Sequence, residues 1–184
     1  HRDLHSFPTR RSSDLGFAFR DVEFKPHTGL IKPNKLRDSA RLSFIKDSFT
    51  RIMLDASDGM DGHVPVIAYE GYAMGRSPNI SRQFSTGELG GVLKLLAWGA
   101  GVDVLLVPPS SLKLFAAGYG NADKGDIIKA VAEKHGYSIK QHDEADAFML
   151  MLLGEAFLSK RNRAGHVRRA IAGCQLIEGN KVCS

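Results

Sequence analysis

The 184-residue sequence is poor in cysteine, with only Cys174 and Cys183, both close to the C-terminal end. There is no CxxC pair and no Cys/His cluster at zinc spacing, so a disulfide framework and a structural zinc site are both excluded. Long apolar runs are also lacking. The most apolar stretch, residues 146–158 (DAFMLMLLGEAFL), is shorter than the roughly 18–20 residues that span a bilayer. No secretory signal and no internal repeat is visible, and a reducing, cytoplasmic setting is the expectation. Aromatic residues are sparse at 8%, with a single tryptophan, Trp98.

What is present is an ordinary globular composition, 43% hydrophobic and 24% charged, at a length that suits one core. Basic residues outnumber acidic ones by 25 to 20, a formal charge of +5. That balance favours polyanion partners, because each cation set against a phosphate releases counterions. Charge alone is weak evidence for this.

Residues 1–15 (HRDLHSFPTRRSSDL) stand apart. They carry no helical or strand period, and the string resembles translated sequencing-adapter read-through. It is read as a non-native segment. A disordered basic arm is the competing reading.

From Gly16 onward the pattern is orderly. FAFRDVEF (17–24) alternates as a strand, HTG (27–29) suits a turn, and LIKPNK (30–35) suits a returning strand, with Pro33 marking an edge or strand end. In residues 38–54, Leu42, Ile45, Phe49, Ile52 and Met53 fall at helical spacing. VPVIAYE (64–70) is a strand ending on a carboxylate, and residues 71–84 read as a loop before a helix over 85–98. GVDVLLVPP (101–109) is a buried strand stopped by prolines. A short helix bearing Lys113, a turn at 118–124, a helix over 126–136 and a helix over 143–158 follow. The order predicts an α/β fold with a mixed sheet flanked by helices. Residues 159–184 read as a basic tail.

Three carboxylates stand out. Glu70 closes its strand at the C-terminal end, where open α/β sheets bind ligands. A solvated strand-end glutamate is the plain alternative. Asp143 and Asp146 are three apart at a helix start and so share a face. An acidic first turn suits the helix dipole in any case. The continuous apolar run behind them, however, implies a buried helix whose inner aspartates need a cation or a partner. Glu144 is expected to point outward. Hard oxygen ligands of this kind suit Mg²⁺, or Mn²⁺ in its place, rather than zinc. Phosphodiester hydrolysis commonly uses two such ions about 4 Å apart.

These segments occur in a telling order: IAYEGYAMG, GELGGVLKLLAWG, VLLVPPSSLK, GYGNADK and DEADA. From about Gly16 to Leu158 the chain resembles the RuvC-like Holliday-junction resolvases, most nearly their phage-type branch. The resemblance implies a ribonuclease-H-like fold, a homodimer and Mg²⁺-dependent cutting of branched DNA in recombination and repair. It implies catalytic and metal-binding roles for Glu70, Asp143 and Asp146, and DNA contacts for Lys113 and Lys124. Gly118 and Gly120 would let backbone approach DNA, and Arg76 and Arg82 follow Glu70 as phosphate contacts. Solvated surface charge and an ordinary turn are the plain alternatives for these six. One departure stands out. The family's first strand carries a further aspartate in a segment like GxDxSxTxTG, and counting back from Gly16 places it at Thr9. The first strand is therefore expected to be replaced or truncated in this chain. That leaves open a non-catalytic module that binds branched DNA, or a ribonuclease-H-like nuclease of another specificity.

Overall fold

The computed structural model describes residues 14–21, 23–57, 66–71, 80–159 and 164–180. Strands β1 (Leu15–Arg20) and β2 (Pro26–Ile31) form an antiparallel hairpin in which Leu15 faces Ile31 and Arg20 faces Pro26. The turn is not at His27–Thr28–Gly29, which lie inside β2, but ahead of Pro26, around Asp21. There the Asp21 carboxylate accepts the backbone N–H groups of Glu23 and Lys25, both at 2.9 Å. An aspartate that folds the chain back over its own backbone competes well with a glycine turn. Pro33 is buried just beyond the end of β2, as expected of a strand stop.

A second sheet holds β3 (Ile67–Glu70), β4 (Val104–Val107) and β5 (Gln175–Ile177) in the order β3-β4-β5. β3 and β4 are parallel, with Glu70 opposite Val107, and β5 is antiparallel to β4. Among the described residues no strand joins β1 to β3, so the strands form two separate units.

Six helices among the described residues cover these strands: α1 (Asp38–Ser57), α2 (Ile80–Gly99), α3 (Pro109–Ala117), α4 (Lys124–His135), α5 (His142–Leu158) and α6 (Gly165–Ala172). α2 begins inside the stretch read as a loop. α6 and β5 occupy the stretch read as a tail. Both are short, eight and three residues, so neither has a periodic signature of useful length.

Strand alternation sorts the core into two layers. Leu105 and Val107 of β4 and Ala68 of β3 face α3, α4 and α5, in a cluster with Leu112, Ile127, Phe148 and Leu153. Val104, Leu106, Ile67 and Tyr69 face the opposite side, with Met53 and Ala97. Ile31 of the hairpin joins Ile45 and Leu93 there, with Leu15 and Phe17 against them. α5 is the central helix. Its residues Ala145, Ala147, Phe148, Met149, Leu153, Gly154 and Ala156 are buried, matching the apolar run in the sequence. No helix among the described residues is long and apolar enough to cross a membrane.

Candidate active site

Period-two alternation puts Glu70 on the same face of β3 as Ala68, the face toward α5. A Cβ built on Gly154 would lie 3.4 Å from the Ala68 Cβ, so α5 backs directly onto β3. Two turns back along α5 from Gly154 lies Asp146, and two residues forward along β3 from Ala68 lies Glu70. Helix and strand thus bring their acids to one end of the sheet.

The electrostatics follow from that placement. Burial pushes the Glu70 carboxyl up to about 7, and the negative charges of Asp146 and Asp143 add to the rise, while Lys113 and Lys124 oppose it. Burial also raises Asp146, with Asp143 adding to the effect and Lys124, His142 and Lys113 opposing it. Five sequence-predicted residues therefore share one electrostatic neighbourhood: Glu70, Asp143, Asp146, Lys113 and Lys124. Lys113 is half-buried on α3, and Lys124 is exposed at the first position of α4. A capping box between Asp123 and Asp126 fixes that helix start.

Among the described residues, no three His, Cys, Asp or Glu side chains stand close enough to hold one metal ion. The three carboxylates feel one another without closing into a cage. Their donor chemistry still fits a hard divalent cation: burial, with neighbouring negative charge adding to it, raises the proton affinity of Glu70 and Asp146, and a bound cation would offset that.

Two contacts hold the acidic helix start in place, and neither was legible in the sequence. A Cβ built on Gly16 would lie 1.8 Å from the Asp143 carbonyl oxygen, so β1 crosses the first turn of α5 at a distance only glycine permits. Glu144 does not point outward. It is half-buried and accepts a hydrogen bond from the Thr28 hydroxyl of β2. Farther along α5, Glu155 pairs with Arg20 of β1. All three link residues more than a hundred positions apart, beyond the reach of any local pattern.

Gly118, at φ 94°, caps α3 by donating its N–H to the Leu114 carbonyl, so its conformation is required by the helix end itself. A Cβ on Gly120 would make ordinary contact with the Ser110 carbonyl, at 3.6 Å. Arg82 falls on α2. Arg76 and Thr9 lie outside the described residues.

No family model matches the chain. Over 74 residues, 39% of its length, it is 38% identical to the crossover junction endodeoxyribonuclease RuvC of Corynebacterium jeikeium (strain K411). That stretch spans 45% of the relative, slightly under half its length. Its fold is similar to that of T. thermophilus RuvC solved in complex with a Holliday junction substrate. There the TM-score is 0.56 at 20% identity, over 74% of this chain and 82% of that one. The fold of the chain is RuvC-like. A second Thermus thermophilus RuvC structure agrees, with a TM-score of 0.55 at 20% identity over 77% and 87% of the two chains. The RuvC-like fold is the ribonuclease-H-like α/β arrangement expected from the sequence.

Proposed function

We propose that this protein is a divalent-metal-dependent endodeoxyribonuclease that resolves four-way, or Holliday, junctions by phosphodiester hydrolysis. The carrying observation is the coupling of Glu70 with Asp143 and Asp146 at one end of the sheet, in a RuvC-like fold. The three acids would hold two Mg²⁺ ions, with Mn²⁺ able to replace them. Bound cations supply positive charge that eases deprotonation of water and offsets charge on the leaving 3′ oxygen. The protein's own part is to fix the acids on a rigid strand and helix. Lys113 and Lys124 bring positive charge to the same place and draw a scissile phosphate toward it. Arg76 and Arg82, after Glu70, and the backbone at Gly118 and Gly120 extend the DNA contact. Residues 16–158 form the nuclease unit, and residues 1–15 are a non-native segment. The setting is the cytoplasm of a bacterium or of a phage-infected cell.

A homodimer fits symmetric cutting of a junction. α2 supports it with a stripe of Phe84, Gly87, Gly91, Leu95 and Trp98 at three- and four-residue spacing. Phe84, Leu95 and Trp98 are 70, 68 and 52% exposed, and a Cβ on either glycine would meet nothing within 4 Å. Such a face suits close helix approach between two copies.

A second reading, a module that holds branched DNA without cutting it, is favoured by the absence of a three-ligand cluster among the described residues. Competition in Mg²⁺ between a four-way junction, an RNA–DNA hybrid and a flap, using protein with its natural upstream sequence, decides the matter. Preferred nicking of the junction is expected. Preferred cutting of the hybrid or the flap would assign another nuclease specificity. Junction binding without cutting would leave the binding module.

A further inference from the structure

Residues 159–177 contain Lys160, Arg161, Arg163, Arg168 and Arg169 and no acidic residue at all. Their described part is not a loose tail. Ala170 of α6 is fully buried, Val167, Ile171 and Cys174 are half-buried, and a Cβ on Gly173 would lie 2.5 Å from the Ser111 hydroxyl of α3. The helix is thus seated on α3 with its arginines outward. Gly165, Arg168, Arg169 and Ala172 make up the exposed face and, with His166, line a shallow groove along it. Neither arginine is in an ion pair among the described residues.

The placement is informative. Ser111 follows Val107, the partner of Glu70 in the sheet, by four residues, and Lys113 is on the same α3. The α6 face therefore flanks the helix that brings a lysine to the acidic site. It is positive and free of large apolar side chains. That combination suits neither an apolar protein partner nor insertion into lipid, both of which need aromatic or aliphatic anchors. Two guanidinium forks beside small residues suit a phosphate backbone, which they can approach closely and bind bidentately.

We propose that the outer face of α6, centred on Arg168 and Arg169, is a sequence-independent contact for the backbone of a DNA duplex arm beside the acidic site. This rests on the DNA-directed reading above and adds a surface to it. The test is equilibrium binding of the whole chain to a plain linear duplex in EDTA, between about 50 and 200 mM NaCl. Each lost phosphate contact flattens the log–log salt slope by about 0.9. Replacing both residues, Arg168→Gln with Arg169→Gln, is expected to flatten it by about 2 and to weaken low-salt binding on the order of tenfold or more. Arg168→Lys with Arg169→Lys should keep the slope, and both variants should melt as wild type does, because these side chains are exposed. Duplex binding with an unchanged slope in the Gln variant overturns the α6 surface alone. No duplex binding by wild type also overturns it, whereas the nuclease reading stands or falls separately on cleavage in Mg²⁺. A variant that loses binding to anionic vesicles but keeps the wild-type DNA slope would assign the face to a membrane and overturn the proposal.

Discussion

Replacing Glu70 by Gln should make the metal-free protein more stable at alkaline pH, even as it destroys the proposed site. Glu70 titrates near 4.5 when exposed and near 7 in the fold. Between those values the folded chain holds a proton that the unfolded chain has lost, so stability falls as pH rises. The loss begins above the unfolded value and is complete once pH passes the folded one. A shift of that size corresponds to roughly 3 kcal/mol, an upper bound for a side chain that keeps some solvent contact. Gln has nearly the same shape and no charge to lose. Asp146, raised for the same reason, keeps a slope of the same sign in the variant. Urea unfolding in EDTA at a series of pH values from about 5 to about 8 measures the difference directly. The wild type should lose up to about 3 kcal/mol over that range, and Glu70→Gln distinctly less. Parallel stability curves for the two proteins would refute the claim that Glu70 is buried among like charges.

Two further perturbations probe how the acidic helix start is held. Gly16→Ala drives a methyl into the Asp143 carbonyl and should cost about 1–3 kcal/mol by thermal or chemical unfolding; a neutral result would mean that β1 does not cross α5 there. Thr28→Val removes the hydroxyl that Glu144 accepts from and should cost about 1 kcal/mol, whereas the same change in a Glu144→Ala background should cost measurably less, as a double-mutant cycle would show.

Much of the site could be read from one dimension because its cues are local. The VPVIAY run fixes which face Glu70 takes, and the spacing of Asp143 and Asp146 ahead of a continuous apolar run fixes theirs. The buried core of α5 was equally plain in that run. The failures have a common physical origin. The hairpin turn went to Asp21 because a side-chain carboxylate can organise a turn as well as glycine can. Glu144 looked solvated because its partner, Thr28, is 116 positions away. α6 and β5 were hidden because a single helical turn or two and a three-residue strand carry too little period. They are held by what they cover, the flank of α3 and the free edge of β4. The five motif segments supplied the family resemblance and the ligand roles proposed from it, which no periodicity contains.

The most direct measurement is nicking of a synthetic four-way junction in Mg²⁺, with protein carrying its natural upstream sequence. Wild type is compared with Glu70→Gln, Asp143→Asn and Asp146→Asn, each shown to be folded. If the three carboxylates form a phosphodiester-cutting site, wild type nicks the junction, and each variant still binds it but cuts at least about a hundredfold more slowly, the scale of losing a principal electrostatic contributor. Cleavage by all three variants at the wild-type rate, or no cleavage by wild type in either Mg²⁺ or Mn²⁺, would contradict it.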